Sequence, residues 1–148
     1  MGCFVMFDVV NYQRDDFLLT TDFNKLDLDA VCYLLSQSYW ANSRGRDVTL
    51  RALENSLCFS LFYKDKQIGF MRLVTDYTTF AYLTDVIIDE FYRFEGLGSW
   101  CIECLLSHPE LQTIRRWCLA TSDAHDFYRK FGFNNLLYPE KFMELLNI

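Results

Sequence analysis

Two histidines and two prolines are spread over 148 residues, and nowhere do lysines or arginines gather into a block. So little histidine leaves a zinc or copper centre short of ligands. A net charge of -6 without a basic cluster argues against nucleic acid as the main partner. No apolar stretch approaches the ~20 residues that a membrane-spanning helix needs. The opening segment, Met1 to Val10, is apolar but short, has no basic flank and contains Asp8, so it does not read as a signal peptide. Gly2 and Cys3 suggest lipidation, yet Met6 stands where myristoylation wants Ser or Thr. A disulfide framework is missing too: the six cysteines (Cys3, Cys32, Cys58, Cys101, Cys104, Cys118) sit singly in apolar segments, as buried free thiols do. A reducing, cytoplasmic setting is therefore expected. Cys101 and Cys104 have C-x-x-C spacing but lie in a helical pattern with no second pair, which favours packing over metal or redox work.

What is abundant is hydrophobic and aromatic. Fourteen Phe, nine Tyr and three Trp, in a chain that is 51% hydrophobic, predict one globular domain with a substantial core. Phe17 to Thr21 reads as a short strand after the polar run Asn11 to Asp16. Asp27 caps a helix with Leu28, Val31, Cys32 and Leu35 on one face. A polar and aromatic loop, Ser38 to Arg46, leads to a second helix opening at Asp47. Leu57–Tyr63, Ile68–Thr75 and Phe80–Asp89 follow as three strands joined by short turns, an antiparallel meander. Gly98–Ser107 is an apolar helix ended by Pro109, and Ile114–Thr121 a strand returning to the sheet. Asp123 would cap a last helix, Ala124 to Phe131, which Gly132 stops. Phe133–Leu137 and Phe142–Leu146 would add edge strands. The expected class is α/β, a mixed sheet flanked by helices, with its core over about residues 17–137.

Between the third meander strand and the apolar helix lies Arg93-Phe94-Glu95-Gly96-Leu97-Gly98. Glycines here permit close backbone approach, and the helix start offers free N–H groups, so the loop suits an anion such as a phosphate. The Walker lysine and the third glycine of a dinucleotide fingerprint are both lacking.

This loop resembles the acetyl-CoA loop of the GNAT superfamily of N-acetyltransferases, whose pattern is Gln or Arg, x, x, Gly, x, Gly or Ala. Ala124-His125-Asp126-Phe127-Tyr128-Arg129-Lys130-Phe131-Gly132-Phe133 resembles that superfamily's A-x-x-x-Y-x-K-x-G-F segment, and the element order agrees over roughly 17–137. The resemblance implies a GNAT-like fold, a mostly antiparallel sheet with one splayed parallel pair, and a single acyl-CoA N-acyltransferase domain over 1–148. It implies acetyl-CoA as cosubstrate, with pantetheine along Val86, Ile87 and Ile88, the pyrophosphate on Arg93, Phe94, Glu95, Gly96, Leu97, Gly98 and Ser99, and further contacts from Thr121 and Phe127. Tyr128 would be the acid that protonates the leaving thiolate. Homodimers are common among such domains.

Other roles stay open at this level. Asp85, in an apolar strand on the side of Leu83 and Ile87, is either the base for the amine or an anchor for nearby N–H groups or Arg72. Tyr39 and Trp40 either line the acceptor pocket or anchor their loop to the core. His125 reads as a surface or packing residue. Phe94 and Glu95 depart from the superfamily pattern, and Glu95 brings a negative charge towards a diphosphate. The acceptor is expected to be a small primary amine, cationic or aromatic, because the chain carries no extra domain for a macromolecule. A protein or peptide amine is the alternative acceptor, and a CoA-binding module without catalysis the alternative role.

Overall fold

The computed structural model describes residues 7–147, so Cys3 and the readings placed on residues 1–6 lie outside it. Its six strands form one sheet in sequence order, β1 (Asn11–Arg14), β2 (Phe17–Thr20), β3 (Leu57–Tyr63), β4 (Lys66–Thr75), β5 (Phe80–Ile88) and β6 (Arg116–Leu119). Neighbours from β1 to β5 are antiparallel, and β5 and β6 are parallel. The mixed α/β class is as the sequence implies. The β1 strand is new: the polar run before Phe17 folds back through Asp15, whose φ of 53° makes the tight turn. Its side chains are mostly exposed, so no apolar alternation marks it in the sequence.

Helices cover both faces. On one side α1 (Leu28–Ser36), capped by the Asp27 carboxylate accepting from the Ala30 N–H at 3.1 Å, and α2 (Arg46–Glu54) pack Val31, Leu34, Leu35 and Leu53 onto Cys58, Phe70 and Ile87. On the other, α3 (Leu97–Leu106) buries Leu97, Cys101, Ile102 and Leu105 against Phe59, Leu61, Leu73 and Leu83. Cys101 and Cys104 thus belong to packing. Burial pushes the Cys104 thiol up to about 11 and Cys101 higher still. Among the described residues no cluster of His, Cys, Asp and Glu could hold a metal, and no helix is long and apolar enough to cross a membrane.

The C-terminal third departs from expectation. The last helix, α4 (His125–Arg129), is shorter than the sequence suggests, and its start is held by Thr121 Oγ1 accepting from the Ala124 N–H at 3.0 Å, not by Asp123. It ends as expected at Gly132, φ 97°, with Phe133 N–H bonded to Tyr128 O and Gly132 N–H to Arg129 O. The strands expected at Phe133–Leu137 and Phe142–Leu146 do not form, and β6 is the sheet's edge among the described residues. A 3-10 turn at Pro139–Lys141 divides the tail, and Phe142 lies under the Arg116 guanidinium, 5.2 Å from ring centre to charge. The residue types are strand formers, but they pass the edge without laddering onto it.

Close packing between strands is tightest at Gly69. A Cβ built there would lie 3.1 Å from the Leu61 side chain and 3.2 Å from the Ile87 carbonyl oxygen. Gly69→Ala is expected to destabilise the fold by about 1–3 kcal/mol, as overpacking does, read as a lower urea midpoint with an unchanged slope. An unchanged midpoint would show that β3 and β5 can move apart.

Candidate functional site

Strands β5 and β6 pair over only four residues, from Phe80 opposite Arg116 to Leu83 opposite Leu119. Beyond Leu83, β5 runs on to Ile88 with no partner on that side, so the two strands part. A break in register sits at the same place. On β4, Met71 alone separates Phe70 from Arg72, whereas on β5 both Asp85 and Val86 separate Thr84 from Ile87. That is a β-bulge, and Asp85 takes it with a φ of 53°. The extra residue reverses the alternation. Leu83 packs in the α3 core and Ile87 in the α1–α2 core, so the sequence expectation that Asp85, Leu83 and Ile87 share one side fails.

The Asp85 side chain is fully buried, and both its oxygens are engaged. Oδ1 accepts from the Trp40 indole N–H at 2.9 Å, and Oδ2 from Arg44 at 2.7 Å and from Arg72 Nε at 2.8 Å. Burial alone would raise its pKa, but the hydrogen bonds and charges of Arg44 and Arg72 outweigh burial and hold it below the usual carboxylate range. A carboxylate so held is a poor proton acceptor. The geometry favours the anchor of the two readings, with Arg72 the partner the sequence suggested and Trp40 and Arg44 partners it did not reveal.

The parted strands wall a cleft of about 480 Å³ lined by Tyr39, Trp40, Tyr82, Asp85, Thr121 and Tyr128, among others. Residues widely separated in sequence are brought together here. The Tyr128 hydroxyl is pushed up to about 12, chiefly by burial and then by the neighbouring Tyr39 and Asp123, so the phenol keeps its proton at neutral pH. Tyr39 stands edge-on to Trp40, 5.0 Å between centroids, and its hydroxyl accepts from the Ser122 N–H at 3.1 Å. His125 lines an adjoining hollow that shares Leu119, Ala120, Thr121 and Tyr128 with the cleft, and is not itself among the residues lining the cleft.

The glycine loop lies beside the far end of β5, where Gly98 meets Ile88. Phe94 at φ 69° and Gly96 at φ 73° both take left-handed backbone, and Gly96 forms the N-cap of α3. The first bond of that helix runs from Trp100 N–H to Gly96 O at 3.1 Å, leaving the N–H groups of Leu97, Gly98 and Ser99 without helical partners. A Cβ built on Gly96 would meet nothing within 4 Å, so the space beside Gly96 is open. Open space beside a helix N-terminus with unpartnered N–H groups fits a pyrophosphate. Gly98 lies over Phe127, whose ring sits 3.5 Å from where a Cβ would be, and over Ile88.

Individual loop side chains behave differently from their backbone. Leu97 is buried in the α3 core and Ile87 in the opposite core, so only the main chain of either can face a ligand. Phe94 points wholly into solvent at 104% exposure. Arg93 donates from Nε to Ile88 O at 3.0 Å, which ties the loop to the end of β5 and occupies that carbonyl. Arg14, unmarked in the sequence, donates to Glu95 O at 3.1 Å and brings a positive charge beside the discordant Glu95.

Comparison with known proteins agrees with this geometry. The description Acetyltransferase (GNAT) family matches residues 26–133. A Gibberella zeae protein named among the acetyltransferases, FG08082, is 31% identical over 149 residues, covering 84% of this chain and 83% of its own. A Xanthomonas campestris protein of the GNAT family shares 38% identity and superposes with a TM-score of 0.85, over 88% of this chain and 93% of that one. At 15% identity a Clostridium acetobutylicum acetyltransferase, its structure determined with acetyl-CoA, shares the fold with a TM-score of 0.56 over 82% of this chain and 92% of its own. With loop, cleft and tyrosine in one arrangement and the family match spanning most of the chain, this protein belongs to the GNAT family of acetyltransferases.

Proposed function

We propose that the chain works as one N-acyltransferase domain, moving an acetyl group from acetyl-CoA to the primary amine of a small molecule. The observation that carries this reading is that β5 loses its partner past Leu83, between a cleft that Tyr128 lines and a glycine loop where the N–H groups of Leu97, Gly98 and Ser99 have no helical partners. Acetyl-CoA supplies an acyl group activated as a thioester. The loop N–H groups and the α3 N-terminus hold its pyrophosphate, and main-chain groups of Val86 to Ile88 without a strand partner, other than the Ile88 carbonyl that Arg93 occupies, take its pantetheine amides as an added strand would.

Tyr128 then works on the leaving group. As the amine nitrogen bonds to the acyl carbon and the C–S bond breaks, the phenol donates its hydrogen bond, and finally its proton, to the sulfur. The proton lost by the amine passes to water, and the Tyr128 phenolate takes one back from water before the next turnover. The acceptor lies against the Tyr39 and Trp40 rings, beside the bridge that the Tyr39 hydroxyl makes to Ser122. With Asp85 neutralised by two guanidinium groups, the cleft offers less to a cation than the acidic balance of the chain suggests, and the aromatic wall is the better guide to the acceptor. Free thiols at Cys32, Cys58, Cys101, Cys104 and Cys118 support a cytoplasmic setting.

A panel of aralkylamines, polyamines, amino sugars, amino acids and a peptide with a free amino terminus, followed by thiol release from acetyl-CoA, tests the reading. Turnover of an aralkylamine is expected; turnover of the peptide alone would favour a macromolecular acceptor. Binding of acetyl-CoA without any turnover would leave a binding module.

Tyr128→Phe is expected to lower kcat by about 100-fold or more, within the range for a lost acid, with acetyl-CoA affinity kept. In the unaltered enzyme kcat should stay level on the alkaline side to about pH 10, because the phenol holds its proton there. An alkaline fall centred near pH 8 would place the acid elsewhere. Gly96→Asp should abolish acetyl-CoA binding, measured calorimetrically, by setting a carboxylate in the open space and straining a left-handed backbone position; normal affinity would contradict the loop assignment.

A further inference from the structure

The segment between α1 and α2 touches both walls of the cleft. From one end, Trp40 and Arg44 reach the Asp85 carboxylate on the bulge of β5. From the other, the Tyr39 hydroxyl takes the Ser122 N–H on the loop after β6. Between these fixings the segment is internally braced. Ser38 is buried, donates to Leu35 O at 2.7 Å and accepts from the Ala41 N–H at 3.0 Å, and Ala41 O accepts from the Arg44 N–H at 3.1 Å. Tyr39 and Trp40 therefore present their rings over the cleft from a segment pinned to each of the two strands that part beneath it.

We propose that residues 38–44 form a strap across the splayed strands, and that Asp85 is a positioning residue that clasps it, shaping the acceptor side of the cleft without taking the acceptor's proton. The inference rests on the cleft being the site of acetyl transfer. Three donors converge on the one carboxylate, two from the strap and one from Arg72 on β4, so a single buried group joins strap, bulge and the strand behind it. Arg72 also donates to Ser56 Oγ at 3.2 Å, which fixes it independently of the strap. Loss of the Asp85 charge should free the strap while the sheet behind it remains.

Two variants of the full chain, Asp85→Asn and Trp40→Phe, test this by hydrogen exchange and by steady-state kinetics with acetyl-CoA and the best amine of the panel. In Asp85→Asn the amides of residues 38–44 should exchange about tenfold faster or more, with β3 and β4 unchanged. The kcat/KM for the amine should fall about tenfold, more through KM than kcat, with acetyl-CoA affinity and the shape of the pH profile retained. Trp40→Phe, which removes one donor and keeps the ring and the carboxylate, should shift the same measurements by less.

A drop in kcat of about 100-fold or more at saturating amine, with loss of the acidic limb and an unaltered exchange rate at 38–44, would make Asp85 the base and overturn the proposal. Unaltered exchange in both variants would show that the carboxylate does not hold the strap, and would overturn it equally. If Asp85→Asn does not fold, Trp40→Phe decides by the same criteria. If no amine turns over, the proposed function fails, and exchange still reports whether the clasp exists.

Discussion

Everything at the site depends on β5 and β6 staying together for four residues and then parting. Parallel strands joined through a helix have no hairpin turn to force their pairing, and the bulge at Asp85 tilts β5 away just past the last shared pair. The separation does three things at once. It leaves main-chain donors and acceptors of β5 without strand partners, it opens a cleft between two otherwise packed layers, and it sets the N-terminus of the crossover helix α3 beside Ile88 at the end of β5. Polar backbone left unpaired inside a protein is unfavourable. Under the proposed function it becomes the means of holding an extended, amide-bearing ligand.

The bulge also explains why a charged residue is tolerated in an apolar strand. An isolated buried carboxylate would be strongly disfavoured, and removal of its partners would leave it so. With Trp40, Arg44 and Arg72 around it, Asp85 has its hydrogen-bonding capacity engaged, and among the described residues no buried side-chain nitrogen or oxygen lacks a partner. Its left-handed backbone is one that Asp adopts more readily than branched or bulky residues do. Backbone shape and buried charge thus select the same residue for two separate reasons.

Most of this architecture is legible in the sequence because it rests on local patterns. Polar turns separate the meander strands, Asp27 caps α1, Gly132 stops α4, and the glycines before α3 mark the anion loop. Less legible is whatever depends on register. One extra residue in β5 inverts which face each later side chain takes, and nothing in the run Leu83 to Ile88 announces it. The exposed hairpin strand β1 carries no apolar face by which to be read. Phe133–Leu137 and Phe142–Leu146 have strand-forming composition, but composition says nothing of whether an edge will receive them. The partnership of Arg44 and Trp40 with Asp85 spans more than forty residues and is visible only once the strap and the bulge are set side by side. Phe94 shows the opposite case. At this departure from the superfamily pattern the backbone is left-handed, a conformation that favours glycine, and the aromatic ring stands in solvent.

The strap changes the mechanics of the cleft. Two strands that meet at one end and part at the other make an open angle, free to widen as the sheet twists. A third member fixed to both arms turns the angle into a triangle, and a triangle cannot change shape without changing the length of a side. The width available to an acceptor is then set by how far the adjacent Tyr39 and Trp40 side chains reach to the two arms. A change at the Tyr39 or Trp40 side chain would resize the opening while leaving both hydrophobic cores in place, whereas one at the buried Ala41 would reach the α1–α2 core.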